Sequence, residues 1–169
     1  MSINGTALII APFGAISITA QDDLLAIELL APTSQSQALH VPAQVEKSSV
    51  HPLVQLACQQ IMQYLQQPST VFNLPLTQTG TAFQQRVWQA IAAIPCGQTR
   101  TYSELAVQLG SGPRAVANAC GANPLPLVVP CHRVVAQNGI GGFMQGKQDG
   151  LLIKRWLLQH EGVKGFGGE

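Results

Sequence analysis

The stretch TRTYSELAVQLGSGPRAVANACGAN (residues 99–123) carries the signals of two short helices joined by a tight turn. Thr101 with Glu104 three residues later is a capping box, which predicts a helix over Tyr102–Leu109. The glycine that follows ends that helix, and Pro113 is suited to the first turn of a second helix. The spacing predicts a helix-turn-helix, although an ordinary helical hairpin fits the same pattern.

The part of the chain before this stretch predicts a small sheet followed by one helix. Residues 6–32 read as three short strands separated by turns at residues 12–14 and 21–23. Apolar residues then recur at helical spacing from His51 until Pro68. We therefore expect an N-terminal α/β domain over residues 1–72, a connector over 73–80, a mainly α-helical C-terminal domain over 81–163 and a flexible tail over 164–169.

The second half also predicts a helix on each side of the helix-turn-helix. The first has its apolar residues on one face, from Phe83 to Ile94. The other lies within DGLLIKRWLLQHEG (residues 149–162), and its apolar stripe consists of Leu152, Ile153, Trp156 and Leu157. On this pattern alone, Glu161 would be an exposed carboxylate at the end of that helix.

Composition indicates a globular protein without a membrane anchor. The 169 residues are 46% hydrophobic, and the apolar opening run has no Lys or Arg before Lys47 and is interrupted by Pro12 and Gly14. That pattern fits neither a signal peptide nor a membrane span. The four cysteines form no C-x-x-C pair, and the four histidines have no zinc-ligand spacing. We expect a cytoplasmic protein with no metal and no cofactor.

Charge is distributed unevenly between the two halves. Residues 1–79 carry a net charge of −3, whereas residues 80–169 carry +4. A polyanionic partner would bind to the second half of the chain. The alternative is that the basic residues are only solvated surface charges.

The motif PCHRVV (residues 130–135) places Cys131 directly before His132. Adjacent residues point in different directions on a strand or a helix, so the two side chains are not expected to hydrogen-bond directly. Either the pair is inert, or a third group connects the thiol to the imidazole.

Four segments in this order resemble one protein family: GTAFQQRVW (80–88), IPCGQTRTYSELA (94–106), PRAVANACGANPLPLVVPCHRVV (113–135) and KRWLLQHEG (154–162). The family is that of the methylated-DNA-protein-cysteine methyltransferases, or O6-alkylguanine-DNA alkyltransferases. The resemblance implies transfer of an alkyl group from O6 of guanine, and from O4 of thymine, to the protein's own cysteine, once per molecule. It also implies an N-terminal domain of ribonuclease-H-like topology.

In that family the cysteine, a water, the histidine and a distant glutamate form a relay. By resemblance the relay here is Cys131, water, His132 and Glu161. A bridging water removes the geometric objection to the adjacent pair.

The resemblance also assigns residues to DNA. Tyr102 would assist rotation of the target nucleotide and donate to the base, and Arg114 would fill the gap that the flipped nucleotide leaves. Ala115 and Ala119 would permit close approach of the second helix to the minor groove of double-stranded DNA. The protein would act as a monomer.

Further residues implied by the resemblance surround the flipped base. Asn123 matches the family's asparagine between the recognition helix and the active-site loop. Phe143 stands where a tyrosine is usual, and the loop before Leu151 is longer than usual. The expected lining of the base pocket is Pro126, Val134, Gly142 and Phe143, with Lys154 nearby.

Two other classes of function remain open from the residues themselves. A cysteine hydrolase would use Cys131 and His132 and release product repeatedly. A DNA-binding module would recognise the lesion without reacting.

Overall fold

The chain forms two compact units, Met1–Thr77 and Gln78–Glu169, each held together by contacts among its own residues. The structure is a computed structural model, and it describes residues 3–32, 42–77, 79–144 and 150–166. The predicted tail over 164–169 therefore lies partly outside the described residues, as does part of the loop before Leu151. None of the helices in the described ranges is both long enough and apolar enough to span a bilayer.

The first unit contains an antiparallel sheet. Its strands are β1 (Asn4–Ala11), β2 (Gly14–Gln21), β3 (Leu24–Leu30) and β4 (Gln44–Lys47), in the order β3-β2-β1-β4. In β2 the side chains of Ile16 and Ile18 are completely buried, because alternate residues of a strand face the same side of the sheet. The three predicted strands and both predicted turns are confirmed.

Sequence analysis missed β4. All four of its residues, QVEK, are exposed, so no apolar alternation marks them as a strand. The strand exists because its backbone pairs with β1, with Ile9 opposite Val45. Such pairing leaves no trace in the local sequence.

One helix, α1 (Pro52–Gln66), covers the sheet and packs on β1 and β2. His51 caps its first turn, because the Nδ1 atom accepts a hydrogen bond from the Leu53 amide at 3.1 Å. The Nε2 atom of the same ring donates to the Asp22 carbonyl at 2.8 Å and so ties the helix start to a strand turn. Completely buried Val54 and Ile61 form the contact face.

The second unit is mainly helical. Its elements are α2 (Ala82–Ala92), β5 (Arg100–Thr101), α3 (Tyr102–Leu109), α4 (Pro113–Gly121), a 3-10 turn (Cys131–Arg133), β6 (Val134–Val135) and α5 (Gly150–His160). The two-residue strands β5 and β6 pair in parallel. This pairing places the turn that carries the cysteine and histidine beside the start of α3.

The bounds predicted for α3 are confirmed, and so is the start of a second helix at Pro113. The Thr101 hydroxyl accepts from the Glu104 amide at 3.0 Å, and the Glu104 carboxylate accepts from the Thr101 amide at 2.8 Å. Gly110 follows α3 with φ of 66°, a left-handed conformation that glycine adopts without strain.

The apolar stripe predicted on α5 is partly wrong. Leu152 is 38% exposed, whereas Ile153, Leu157 and Leu158 are completely buried together with Lys154. The buried face is therefore rotated from the predicted one. A lysine can lie on it because carbonyl oxygens accept from its ammonium group, which the apolar pattern cannot reveal.

Candidate active site

The second unit contains an open cavity of about 650 Å³ beside α4. Six residues that were predicted for the site line it: Tyr102, Asn123, Pro126, Cys131, Gly142 and Phe143. Residues as distant along the chain as Tyr102 and Phe143 thus share one pocket. The lining also includes Cys120, which sequence analysis did not place in the site.

Cys131 occupies the first position of the 3-10 turn and is 5% exposed. Its amide donates to the Val129 carbonyl at 2.8 Å, which aims the side chain into the pocket wall. The Asn123 side-chain amide donates to Sγ of Cys131 at 3.1 Å. Sγ also lies 3.8 Å from the carbonyl oxygen of Cys120.

The pKa of Cys131 is raised well above its ordinary value in this environment. A hydrogen bond with the Cys120 side chain and burial both raise it, and they outweigh the lowering effects of Asn123 and Lys154. The resting side chain is therefore a thiol, and a reaction at Sγ requires a base.

His132 has the geometry of that base. Its ring is completely buried, and Nε2 lies 2.7 Å from Oε2 of Glu161. Because a carboxylate only accepts hydrogen bonds, Nε2 carries the proton of the neutral ring and Nδ1 is left as an acceptor. Burial lowers the pKa of His132, against the opposing effect of Glu161, so the ring is neutral at rest. Nδ1 is buried and has no hydrogen-bond partner among the described residues.

Glu161 is buried and not an exposed terminal carboxylate, because it also pairs with Arg133. The guanidinium Nε donates to Oε1 at 2.8 Å and Nη2 donates to Oε2 at 3.0 Å. Nη1 donates to the Ile94 carbonyl at 2.7 Å. The two-pronged contact holds the carboxylate in one orientation toward His132.

Sequence analysis did not identify Arg133 as a site residue. The available signal was an arginine set between a histidine and two valines, a position where a solvated charge is unexpected. The partner could not be named from this signal, because Glu161 lies 28 positions away along the chain.

Val134, which was predicted to line the pocket, is not among its lining residues in the described part of the chain, and Lys154, which was predicted to lie nearby, contacts the lining residue Gly142. The Lys154 ammonium is buried and donates to the carbonyls of Val134 at 2.7 Å and Gly142 at 2.8 Å. It thereby joins β6 to the loop that forms one pocket wall. Burial lowers the pKa of Lys154 to about 8, and the nearby Cys120 and Cys131 thiols oppose that change.

Tyr102 lies on the pocket at the start of α3. Its hydroxyl donates to the Gly142 carbonyl at 3.4 Å, and its ring centroid is 5.9 Å from Nζ of Lys154. Burial, followed by Cys120 and Cys131, raises the pKa of Tyr102 to about 12, so the hydroxyl keeps its proton at neutral pH. Gly141 has φ of 76°, and a Cβ there would lie 3.0 Å from the Tyr102 ring.

Of the residues predicted to contact DNA, Tyr102 begins α3, and the three on α4 differ in exposure. Arg114 is exposed in the first turn, and Ala115 is half-buried. Ala119 is only 2% exposed, and its carbonyl accepts from the Trp88 indole at 2.9 Å. In this structure, therefore, Ala119 packs α4 onto α2 and offers almost no surface to a partner.

Asn123→Asp is expected to slow reaction at Cys131 roughly tenfold at neutral pH. The change replaces a donor to Sγ with a negative charge, which raises the pKa of Cys131 further and so lowers the fraction of reactive thiolate. The measurement is the rate of thiol alkylation by iodoacetamide against pH. Asn118→Asp adds the same charge to an exposed pocket residue of α4 and serves as the matched control. Equal slowing in the two variants would contradict a specific role for the Asn123 amide.

The chain is similar to proteins of known sequence and structure. Residues 82–163 match the family model described as 6-O-methylguanine DNA methyltransferase, DNA binding domain. The crystal structure of Mycobacterium tuberculosis OGT in complex with DNA is 31% identical, covers 93% of this chain and 92% of its own, and superposes with a TM-score of 0.70.

Two curated relatives align over the second unit. A probable methylated-DNA-protein-cysteine methyltransferase of Acanthamoeba polyphaga mimivirus is 53% identical over 91 residues, which are 53% of this chain and 58% of the relative. A methylated-DNA-protein-cysteine methyltransferase of Salmonella typhimurium is 54% identical over 85 residues, or 49% of this chain and 48% of the relative. The chain thus spans about half the length of these curated relatives.

Cys131 lies inside the matched domain, next to the buried His132–Glu161 pair, and the match defines the class as that of the 6-O-methylguanine DNA methyltransferases. The chain belongs to the methylated-DNA-protein-cysteine methyltransferase family.

Proposed function

We propose that this chain repairs alkylated DNA by transferring the alkyl group from O6 of guanine, or O4 of thymine, to Sγ of Cys131. One observation carries the proposal. Cys131 lines the pocket, and the next residue along the chain, His132, forms a buried hydrogen bond with Glu161. Family membership supports the same reaction.

The first chemical step is deprotonation of the Cys131 thiol. The proton passes through one bridging water to Nδ1 of His132, while Nε2 keeps its hydrogen bond to Glu161. The buried Nδ1 atom supports this relay, because a buried acceptor is normally satisfied by a polar partner. Glu161 stabilises the resulting imidazolium, and Arg133 keeps the carboxylate in place.

The second step is a displacement at carbon. A bond forms between Sγ and the alkyl carbon as the carbon–oxygen bond breaks, and its electron pair remains on the base. The base leaves as an anion and takes up one proton from solvent, which restores an unmodified guanine, and the hydroxyl of Tyr102, whose pKa is raised to about 12 by burial, donates a hydrogen bond to it. The product is a thioether that none of these groups cleaves, so each molecule reacts once.

The target atom lies inside a duplex, so the nucleotide must rotate into the pocket, at a cost of a few kcal/mol. We propose that α3 and α4 form a helix-turn-helix whose second helix enters the minor groove. Exposed Arg114 would then occupy the gap in the stack. The net charge of +4 on residues 80–169 supports duplex DNA as the partner.

We also propose the topology and bounds of the domains, the cellular compartment and the oligomeric state. The β3-β2-β1-β4 sheet with α1 supports a ribonuclease-H-like first domain over residues 1–72, followed by a connector over 73–80 and a reactive domain over 81–163. The four cysteines are free thiols, which supports the cytoplasm as the compartment. The protein would act as a monomer without a cofactor.

The test of this function is incubation of the protein with a duplex oligonucleotide that carries labelled O6-methylguanine. Covalent label on the protein, in an amount that does not exceed one per molecule, is the expected result. Catalytic release of label would instead indicate a hydrolase, and binding without any transfer would indicate a recognition module.

Arg114→Ala is expected to slow transfer from duplex DNA roughly tenfold or more, with little change in reaction with free O6-benzylguanine. The reason is that a free base creates no gap in a stack. The measurement is the single-turnover rate with each substrate. Arg155→Ala removes an exposed charge from α5 and is the control for loss of one positive charge. Equal slowing with both substrates would mean that Arg114 supports the pocket itself.

A further inference from the structure

A second thiol shares the pocket with Cys131. Cys120 lies near the end of α4, is half-buried and lines the same cavity. Sγ of Cys131 is 3.8 Å from the carbonyl oxygen of Cys120, so the two cysteines are in contact at this cavity. The proposed transfer reaction leaves Cys120 without a role.

The two thiols differ in acidity and access. The hydrogen bond from Cys131 lowers the pKa of Cys120 despite burial, and the Lys154 ammonium also lowers it. The same pairing raises the pKa of Cys131, which is buried whereas Cys120 is partly exposed. A small oxidant that enters the pocket therefore meets the more reactive sulfur at Cys120 first.

We propose that Cys120 and Cys131 are a redox pair that a hydroperoxide closes into a disulfide. The Cys120 thiolate attacks the outer peroxide oxygen, the oxygen–oxygen bond breaks, and the released alkoxide or hydroxide takes up a proton. The product is a sulfenic acid on Cys120. The Cys131 sulfur then displaces its hydroxyl group, which leaves as water with the Cys131 proton. Two thiols are oxidised by two electrons, and the hydroperoxide is reduced.

The disulfide has two consequences for the site. It removes the alkyl acceptor for as long as it persists, a consequence that rests on the proposed function. It also protects both sulfurs from irreversible oxidation to sulfinic acid, because a thiol reductant restores them. The bridge would close over residues 121–130, a short segment that Asn123 already folds back through its bonds to Val129 and Cys131.

The remaining cysteines lack this arrangement. Cys58 lies on α1 of the first unit, and Cys96 lies in the loop after α2. In the described part of the chain, contact between a cysteine sulfur and a second cysteine is found at Cys131 and Cys120.

The test exposes the full chain to hydrogen peroxide, blocks free thiols and maps peptides without reduction. The expected result is a peptide pair that links Cys120 to Cys131, with the intact mass lower by two hydrogen atoms. Reaction with free O6-benzylguanine should fall at least tenfold and return to the untreated value after dithiothreitol. Cys58→Ser is the matched control and should behave as the wild-type chain does.

The second experiment uses Cys120→Ser. The rate of reaction of this variant after peroxide is compared with the rate of the same variant before peroxide. Peroxide should oxidise Cys131 of this variant beyond the sulfenic acid, and dithiothreitol should not restore reaction. Recovery equal to that of the wild-type chain, or absence of the linked peptide from oxidised wild-type protein, overturns the proposal. The linked peptide is detected by mass, without any activity assay. Untreated protein that transfers no alkyl group would therefore contradict the proposed function and leave the disulfide proposal standing.

Discussion

Cys131→Ala is expected to reduce alkyl transfer from DNA to background, a loss of roughly a thousandfold or more. The change removes the sulfur that the Asn123 amide contacts at 3.1 Å and that the His132–Glu161 pair is placed to activate. Affinity for alkylated DNA should persist, because the pocket walls and α4 remain. The measurements are transfer of label and binding of an alkylated duplex.

Peptide mapping of the reacted wild-type chain completes this test. The alkyl adduct should be found on Cys131, and Cys58→Ala is the matched control because that thiol lies on α1 of the first unit. An adduct on Cys120 in the wild-type chain would contradict the assignment, since Cys120 lines the same cavity.

Glu161→Gln is expected to shift the rising limb of the transfer rate to higher pH. Glu161 raises the pKa of His132 against the larger lowering effect of burial, so its removal makes the imidazole a weaker base. The thiolate of Cys131 then forms less readily, and its apparent pKa rises. Activity should recover partly in alkaline buffer. The measurement is single-turnover transfer from O6-benzylguanine across a pH series.

The same substitution should lower the free energy of unfolding by about 3 kcal/mol, because the Arg133 guanidinium stays buried without a counter-charge. Denaturant unfolding measures this loss. Glu28→Gln, which changes an exposed carboxylate on β3, is the control and should alter neither the pH profile nor the stability. A folded Glu161→Gln protein with an unchanged pH profile would leave the base for Cys131 unidentified.

Elements whose signals are local could be predicted from the sequence. The Thr101–Glu104 capping box predicts the start of α3, because its two hydrogen bonds join residues three positions apart. The strands β1, β2 and β3 follow from alternation and from turns between neighbours. The ordered motifs around PCHRV indicate the family, which the comparisons confirm.

The sequence by itself thus determined the order of the helices and of β1, β2 and β3, the family and the reactive Cys-His motif. Only the tertiary structure decided which distant residues contact that motif and the pocket around it. Glu161 reaches His132 across 29 positions, and Lys154 joins Val134 to Gly142 from the buried face of α5. Cys120 meets Cys131 because the end of α4 and the 3-10 turn border one cavity. These contacts depend on how helices pack, and side-chain periodicity describes one element at a time, so it cannot specify which distant atoms meet.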